Sequence, residues 1–330
     1  MKIIYHPRYV EHRHLGTHPE RPERLEGILS KLDSLSLLDH VLSPSELPEG
    51  VLTLIHGEGY IKGLSKLSNN YLDGGDTFVS SETYDIAKIA VSGALLSVDE
   101  AMKGNKNIAL LRPPGHHAGA DYGGGFCYLN NVAIGARYAG LERVAIVDLD
   151  AHHGNGTSDI FYRDPRVLYI STHHYGIYPG TGVPEAVGEE EGRGYNVNIP
   201  FPAGAGDSSM DFAWKTVMEP VLRQYEPQLI LVSLGTDGHY ADVMTGMALS
   251  SSGYIDTCKR IESLADELCE GRMAYMLEGG YHIPSLAEII AGISSDETID
   301  MVYDEKKDVK IRGELAVQNS QAALSGYWDL

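Results

Sequence analysis

The densest group of chemically active side chains in this 330-residue chain follows a hydrophobic run at positions 144–147. It holds two carboxylates and two imidazoles within six residues: Asp148, Asp150, His152 and His153. Asp150 and His152 are two positions apart, so on an extended backbone their side chains point to the same side. A carboxylate and an imidazole at one strand end are two of the three protein ligands that a catalytic zinc site needs.

Four other hydrophobic runs end in comparable side chains. The segments that follow them are 112–117, 171–175, 235–239 and 278–281, and they supply His116, His117, His173, His174, Tyr175, Asp237, His239 and Tyr281. In an open parallel sheet, ligands bind beyond the carboxyl ends of the strands. The five strand ends together therefore predict one shared site.

The chemistry of these side chains suggests distinct roles. Asp150, His152 and Asp237 offer one nitrogen and two oxygen ligands and leave a coordination position open, as in a catalytic metal site. The tandem pair His116 and His117 suits a base and an electrostatic partner for water activated by the metal. Tyr281 follows two glycines, in what we expect to be a flexible turn, and its phenol can donate to a developing oxyanion. Together they indicate hydrolysis of a carbonyl compound.

The elements that must position these residues alternate between strand and helix, which predicts an α/β fold with a parallel sheet covered on both faces. Predicted strands lie at 2–5, 108–111, 144–149, 167–171, 229–234 and 273–277. Predicted helices lie at 22–38, 84–102, 131–139, 212–225, 254–269 and 284–290. No stretch has the composition of a linker, so we expect one catalytic domain over residues 1–330, with the segment after Ser294 packing back on it.

Composition narrows the functional class. A formal net charge of −20 argues against nucleic-acid binding, which needs a basic surface. Three cysteines without a Cys-x-x-Cys pair fit a reducing compartment, and residues 1–6 lack the apolar core of a signal peptide, so we expect a cytoplasmic protein. No apolar run is long enough to span a membrane, and no glycine-rich phosphate loop is present. The oligomeric state stays open, a homo-oligomer being one possibility.

Six segments, in order along nearly the whole chain, resemble the histone deacetylase superfamily, also called the arginase–deacetylase fold group. They read His-Pro-Glu-Arg-Pro-Glu-Arg-Leu at 18–25, Arg-Pro-Pro-Gly-His-His-Ala at 112–118, Gly-Phe-Cys-Tyr-Leu-Asn-Asn at 125–131, Asp-Leu-Asp-Ala-His-His-Gly-Asn-Gly-Thr at 148–157, Tyr-Pro-Gly-Thr-Gly at 178–182 and Leu-Glu-Gly-Gly-Tyr at 277–281. Asn155 and Glu278 resemble the class II branch and its prokaryotic relatives.

This resemblance implies a three-layer α/β/α domain around a mainly parallel sheet of about eight strands. It implies that Asp150, His152 and Asp237 bind zinc or ferrous iron, and that Tyr281 polarises an acetyl carbonyl. Asp148 would hold His116, and Asn155 would hold His117.

The resemblance also implies a substrate tunnel and structural potassium. Phe126 and Tyr178 would wall the tunnel beside Gly125, with Met244 at the rim, Asp76 near the substrate backbone and Arg21 below the metal. One potassium ion would lie near Asp148, Asp150, His152, Ser171 and Thr172, and a second near Phe161, Asp164 and Val167.

The two partners of the tandem histidines differ in charge, which leads to a hypothesis about the base. The carboxylate of Asp148 favours a charged His116, whereas the neutral amide of Asn155 favours a charged His117 less. We therefore expect His117 to be the neutral base at pH 7 and His116 the electrostatic partner.

Several functions fit these residues. Acetyl-lysine in a protein, an acetylated polyamine and a small acetylated metabolite all remain possible substrates. Relatives often have Asp-Pro-Leu at 242–244, and polyamine-selective ones can carry an acidic residue where this chain has Met244, which favours acetyl-lysine. The missing proline should loosen this rim loop. A binuclear ureohydrolase would need a second carboxylate pair near Asp237, and a silent acyl-lysine or metal binder would be expected to lack a ligand or Tyr281.

Overall fold

A computed structural model of the chain describes residues 1–308 and 310–330. The strands are β1 (Lys2–Ile4), β2 (Val41–Leu42), β3 (Asn70–Tyr71), β4 (Phe78–Val79), β5 (Asn107–Ala109), β6 (Val144–Asp148), β7 (Val167–His174), β8 (Asn196–Phe201), β9 (Leu229–Leu234) and β10 (Met273–Leu277). The helices are α1 (Glu23–Ser34), α2 (Glu58–Leu64), α3 (Thr83–Met102), α4 (Asn131–Tyr138), α5 (Asn155–Phe161), α6 (Asp207–Ala213), α7 (Glu219–Tyr225), α8 (Ser251–Cys269), α9 (Ile283–Ser294) and α10 (Lys310–Leu324).

Eight strands form one sheet in the order β2-β1-β5-β10-β9-β6-β7-β8, and every neighbouring pair is parallel. The eight-stranded parallel α/β fold predicted from the sequence is thus confirmed. The five strands whose ends carry the candidate site residues are direct neighbours in the sheet: β5, β10, β9, β6 and β7. Their carboxyl ends meet at one edge, because parallel strands share a direction.

Helices cover both faces of this sheet. The helices α3 and α4 pack on each other and on strands of one face, whereas α1, α8 and α9 pack together on the other. The sheet strands β5, β6, β9 and β10 are buried at every position, as expected for strands covered on both sides. The C-terminal segment also packs on the domain: Leu324 is buried, and the Trp328 indole donates to the carbonyl of Gly194.

The sequence pattern missed several elements near the sheet edge. Strand β8 was not predicted, because Pro200 interrupts its apolar pattern; a proline is tolerated there because β8 is an edge strand. Helices α5 and α10 were also missed, and the predicted helix at 212–225 is the end of a longer segment that begins with α6 and contains a π-turn at Trp214–Met218.

Candidate metal and hydrolase site

The ends of β6 and β9 bring three predicted metal ligands together. Nδ1 of His152 lies 2.8 Å from Oδ2 of Asp237 and 3.2 Å from Oδ1 of Asp150. One ligand atom from each of these residues lies within 4.8 Å of the other two. Both carboxylates are buried, so two anionic groups share a dry pocket with one imidazole. One nitrogen and two oxygen donors in this arrangement fit a divalent cation with an open coordination position.

The electrostatics of these three groups favour a bound cation. Burial alone would lower the pKa of His152, but the charge of Asp237 raises it to about 11, so a proton on the imidazole offsets the carboxylates. Burial and the neighbouring Asp150 raise the pKa of Asp237 to about 6. A divalent cation would stabilise both carboxylates in ionised form.

Backbone groups fix the two carboxylates. Oδ2 of Asp150 accepts from the amide of Gly279, and Oδ1 of Asp237 accepts from the amide of Ala151. A Cβ at Gly279 would lie 2.6 Å from Oδ2 of Asp150, and one at Gly235 only 2.0 Å from it. Glycine is therefore needed at both positions, because any side chain there would collide with the carboxylate of Asp150.

The tandem histidines lie in the loop after β5. Nδ1 of His116 is 3.1 Å from Oδ2 of Asp148, and Nδ1 of His117 is 2.8 Å from Oδ1 of Asn155. The structure thus brings each predicted pair together. The buried carboxylate of Glu278 at the end of β10 holds the loop, since its Oε2 accepts from the amides of Gly115 and His116.

The two imidazoles differ in the direction of their pKa shifts. Burial opposes the charge on both. At His116 the carboxylates of Asp148 and Asp150 overcome this effect and raise the pKa to about 10. At His117 burial and the positive charges of His116 and His152 hold the pKa well below its ordinary value. At neutral pH, His117 is therefore the imidazole available to accept a proton.

A hydrogen bond and a cation–π contact anchor Tyr281 at the end of the Gly-Gly turn, which the sequence predicts to be flexible. Its amide donates to Oδ2 of Asp242 over 2.6 Å, and the guanidinium of Arg24 lies 5.1 Å from its ring centroid. Burial raises the pKa of the Tyr281 phenol well above its ordinary value, so the hydroxyl remains a donor at neutral pH.

The expected role of Arg21 is wrong. Arg21 is exposed, whereas Arg24, three residues further on, is fully buried. Arg24 donates to the carbonyls of Glu278 and Gly280 in the Gly-Gly segment. Of the two arginines in the motif, Arg21 lies before the start of α1, whereas Arg24 lies in its first turn and is buried.

A narrow cavity of about 120 Å³ opens above the predicted metal ligands. The sequence-predicted substrate residues all line it, together with both tandem histidines and Tyr281: Gly125, Phe126, Tyr178, Met244 and Asp76. The rings of His117 and Tyr178 meet edge to face at 5.0 Å, and those of Phe126 and Tyr281 at 6.2 Å. Burial and a hydrogen bond with Asp73 raise the pKa of Asp76 to about 6. The cavity is thus walled by aromatic rings, with the carboxyl of Asp76 among its lining residues.

The residues predicted to hold potassium lie in two separate places. Thr172 and Asp148 are adjacent, since the Thr172 hydroxyl is 3.4 Å from the Asp148 carbonyl, and the Ser171 hydroxyl lies 2.9 Å from Nδ1 of His173. The second group lies at the turn after α5, where the side chain of Asp164 pairs with Arg137 and Arg166. Potassium binding at either place stays a prediction.

Two other groups of potential ligands occur among the described residues. His12, His14 and Glu20 form one, but Glu20 is already paired with Arg24 and Arg112, which disfavours a cation. The second combines His116 with Cys127 and Glu278, and there His116 already pairs with Asp148. The described residues therefore offer one group suited to a catalytic metal.

Sequence reasoning missed several residues that hold the site. Asp242 was noted only as the start of a rim segment, yet its carboxylate accepts from the amides of Met244, Tyr281 and His282. These bonds connect the rim loop to the segment that carries Tyr281. No local pattern identifies such a residue, because its partners Tyr281 and His282 lie about 40 positions away.

Comparisons with known proteins identify relatives of this chain by sequence and by fold. A family model described as "Histone deacetylase domain" matches residues 18–295. A probable deacetylase from Archaeoglobus fulgidus is 40% identical over 296 residues, which cover 85% of this chain and 81% of that protein. Histone deacetylase 10, chloroplastic, from Oryza sativa subsp. japonica is 37% identical, and the match covers 83% of this chain and 68% of that protein. A crystal structure of the HDA15 HD domain superposes with a TM-score of 0.89 at 29% identity, covering 99% of this chain and 97% of that one.

Proposed function

Since the chain belongs to the histone deacetylase family, we propose that it is a metal-dependent amidohydrolase that removes acetyl groups from acetyl-lysine side chains. One observation supports this above all: two members of the three-ligand group, Asp150 and His152, line the same cavity as the neutral imidazole of His117 and the protonated phenol of Tyr281. These are the parts needed to attack an amide carbonyl with water and to stabilise the resulting charge.

We propose that Asp150, His152 and Asp237 hold zinc, with ferrous iron as the alternative. Such an ion, when bound, supplies Lewis-acid activation of water and of the amide carbonyl. Nε2 of His117 accepts the proton of the attacking water and later delivers a proton to the leaving amine. His116 stays protonated on its ion pair with Asp148 and offsets negative charge in the pocket. The hydroxyl of Tyr281 donates to the oxygen on which charge develops.

The residues that line the cavity favour acetyl-lysine over an acetylated polyamine as the substrate. Phe126 and Tyr178 both line the cavity and offer aromatic walls to an extended, uncharged acetyl-lysine side chain. A polyamine carries further ammonium groups beyond the amide, and these would need carboxylates at the mouth. Met244 is apolar. Apart from the predicted metal ligand Asp150, Asp76 is the one carboxylate among the residues that line the cavity.

The direct test measures metal content and deacetylation on one preparation. We expect one zinc or iron ion per chain by elemental analysis. We expect turnover of an acetyl-lysine peptide that a chelator abolishes and that added metal restores. N-acetylputrescine serves as the competing substrate, and faster turnover of it would replace acetyl-lysine with a polyamine. Two metal ions per chain, or turnover that survives complete removal of metal, would contradict the mechanism.

Two variants separate metal binding from proton transfer. His152→Ala should lose both the metal and turnover, whereas His117→Ala should keep the metal and lose turnover. A His117→Ala protein that retains most of its activity would remove His117 from the role of base.

Structural potassium and a cytoplasmic location complete the proposal. If potassium is bound, the melting temperature should be higher in potassium chloride than in tetramethylammonium chloride at equal ionic strength. A cytoplasmic location agrees with the three unpaired cysteines. No helix among the described residues is long and apolar enough to cross a membrane.

A further inference from the structure

A chain of hydrogen bonds connects His117 with the protein surface. Nδ1 of His117 lies 2.8 Å from Oδ1 of Asn155, and Nδ2 of Asn155 donates to the hydroxyl of Tyr122 over 3.1 Å. That hydroxyl in turn donates to the exposed carboxylate of Asp159. Asn155 and Asp159 are four residues apart on α5, so they share one face of this helix.

The orientation of the Asn155 amide decides which nitrogen of His117 carries the proton. With Oδ1 facing the ring, Nδ1 must be protonated, and Nε2 is free to accept a proton in the cavity. If the amide were turned round, its NH2 group would require an unprotonated Nδ1, and the proton would move to Nε2. His116 needs no such control, because both oxygens of its partner Asp148 can only accept.

Asp159 and Tyr122 set this orientation by the same logic. A carboxylate only accepts hydrogen bonds, so the Tyr122 hydroxyl must donate to Asp159. Its oxygen is then left as an acceptor, and only the NH2 end of Asn155 can satisfy it. Partial burial and the neighbouring Asp159 raise the pKa of Tyr122, which keeps its hydroxyl protonated.

The ring of Tyr122 is held in place although 39% of the residue is exposed. It packs directly on Gly119, where a Cβ would lie only 2.3 Å from one ring carbon and 2.5 Å from another. A side chain at position 119 would therefore displace the ring and its hydroxyl. The segment between the tandem histidines and Gly125 is thus shaped to bring a tyrosine to Asn155.

We propose that Tyr122 and Asp159 are positioning residues that fix the Asn155 amide and thereby hold His117 as the Nδ1-protonated tautomer, with Nε2 free. This inference rests on the proposed function only for the consequence that Nε2 accepts the catalytic proton. The tautomer itself can be measured whether or not the protein turns over a substrate.

The test combines NMR with kinetics on the metal-loaded protein. The protein is labelled with ¹⁵N-histidine, and the His117 signals are assigned by their absence in His117→Gln. Long-range ¹H–¹⁵N spectra then report which ring nitrogen carries the proton. The variants are Tyr122→Phe, which keeps the ring, and Asp159→Asn, which frees the hydroxyl to donate elsewhere. Tyr138→Phe is the matched control, since its hydroxyl also bonds a surface carboxylate, that of Asp99.

We expect the Nδ1-protonated form in the wild-type protein and the control. Tyr122→Phe should show a mixture of tautomers and a kcat lower by about 3- to 10-fold, the scale of losing one neutral hydrogen bond, with KM unchanged. Asp159→Asn should change the His117 tautomer populations and kcat in the same direction as Tyr122→Phe does, but by a smaller amount. An unchanged His117 tautomer in a folded Tyr122→Phe protein would overturn the proposal, whatever its activity. Gly119→Ala provides an independent check, because it should displace the ring and reproduce the Tyr122→Phe spectrum.

If the wild-type protein hydrolysed no acetylated substrate, the proposed function would fail while the tautomer measurement still decided this inference.

Discussion

Replacing Asp242 with alanine tests whether Tyr281 is held in place by one carboxylate. Oδ2 of Asp242 accepts from the amides of Tyr281 at 2.6 Å and His282 at 3.0 Å. Hydrogen bonds to a charged acceptor contribute about 1.5–3 kcal/mol each. Taking the lower bound for each bond, we expect a loss of about 3 kcal/mol for the pair.

This loss should be visible in both stability and turnover. At about 2.1 cal/mol/K per residue, the unfolding entropy of 330 residues is about 0.7 kcal/mol/K, so the melting temperature should fall by about 4 °C. A shift of about 1 Å in the phenol of Tyr281 should lower kcat by about 10²-fold, because catalytic groups act only in correct geometry. KM should change little, since Tyr281 acts on developing charge.

The assays are differential scanning calorimetry and steady-state kinetics with an acetyl-lysine peptide. Val243→Ala is the matched control, because Val243 is 94% exposed on the same loop. Asp242→Asn keeps one acceptor oxygen and should give an intermediate kcat. A positioning role of Asp242 is refuted if Asp242→Ala lowers the melting temperature but leaves kcat unchanged. In that case the carboxylate stabilises the loop without positioning Tyr281.

Three further predictions concern the same cavity. Tyr281→Phe should lower kcat by about 10²- to 10³-fold, the scale of losing one oxyanion donor, and a kcat near the wild-type value would remove this phenol from the mechanism. Asn155→Asp places a carboxylate beside His117, whose pKa burial now holds low. The raised pKa should leave less neutral base at pH 7 and move the acid limb of the kcat–pH profile to higher pH; an unmoved limb would contradict this assignment. Arg24→Met should lower both the melting temperature and kcat, whereas Arg21→Met should change neither. Equal effects in the two variants would contradict the assignment of the supporting role to Arg24.

The residues that the structure brings together at the candidate site were largely predictable from sequence, because their types and their places after hydrophobic runs are local features. The buried strand β6, which ends at Asp148, can be predicted without knowledge of the fold, and so can the polar residues Asp150 and His152 that follow it. The parallel sheet then requires the other strand ends to meet at the same edge. The family motifs narrowed the chemistry from a metal hydrolase to a deacetylase.

The residues that hold the site were not predictable, because their partners are distant in sequence. Arg24 contacts the carbonyls of residues more than 250 positions away. Tyr122 lies in a glycine-rich loop whose composition gives no sign of its hydrogen bond to Asn155. Strand β8 was missed for a related reason, since its tolerance of Pro200 depends on its place at the edge of the sheet.

The strand order has a consequence for how the chain folds. Strands β9 and β10 lie between β5 and β6, although both are synthesised after β7 and β8. β6 keeps an unpaired, hydrophobic strand edge until residue 234 has left the ribosome, and β5 keeps one until residue 277 has left it. Such an edge is the kind of surface on which chains aggregate. Pairing between strands so far apart in sequence is slow to form. We therefore expect chains truncated before β9 to aggregate rather than to form a smaller folded unit.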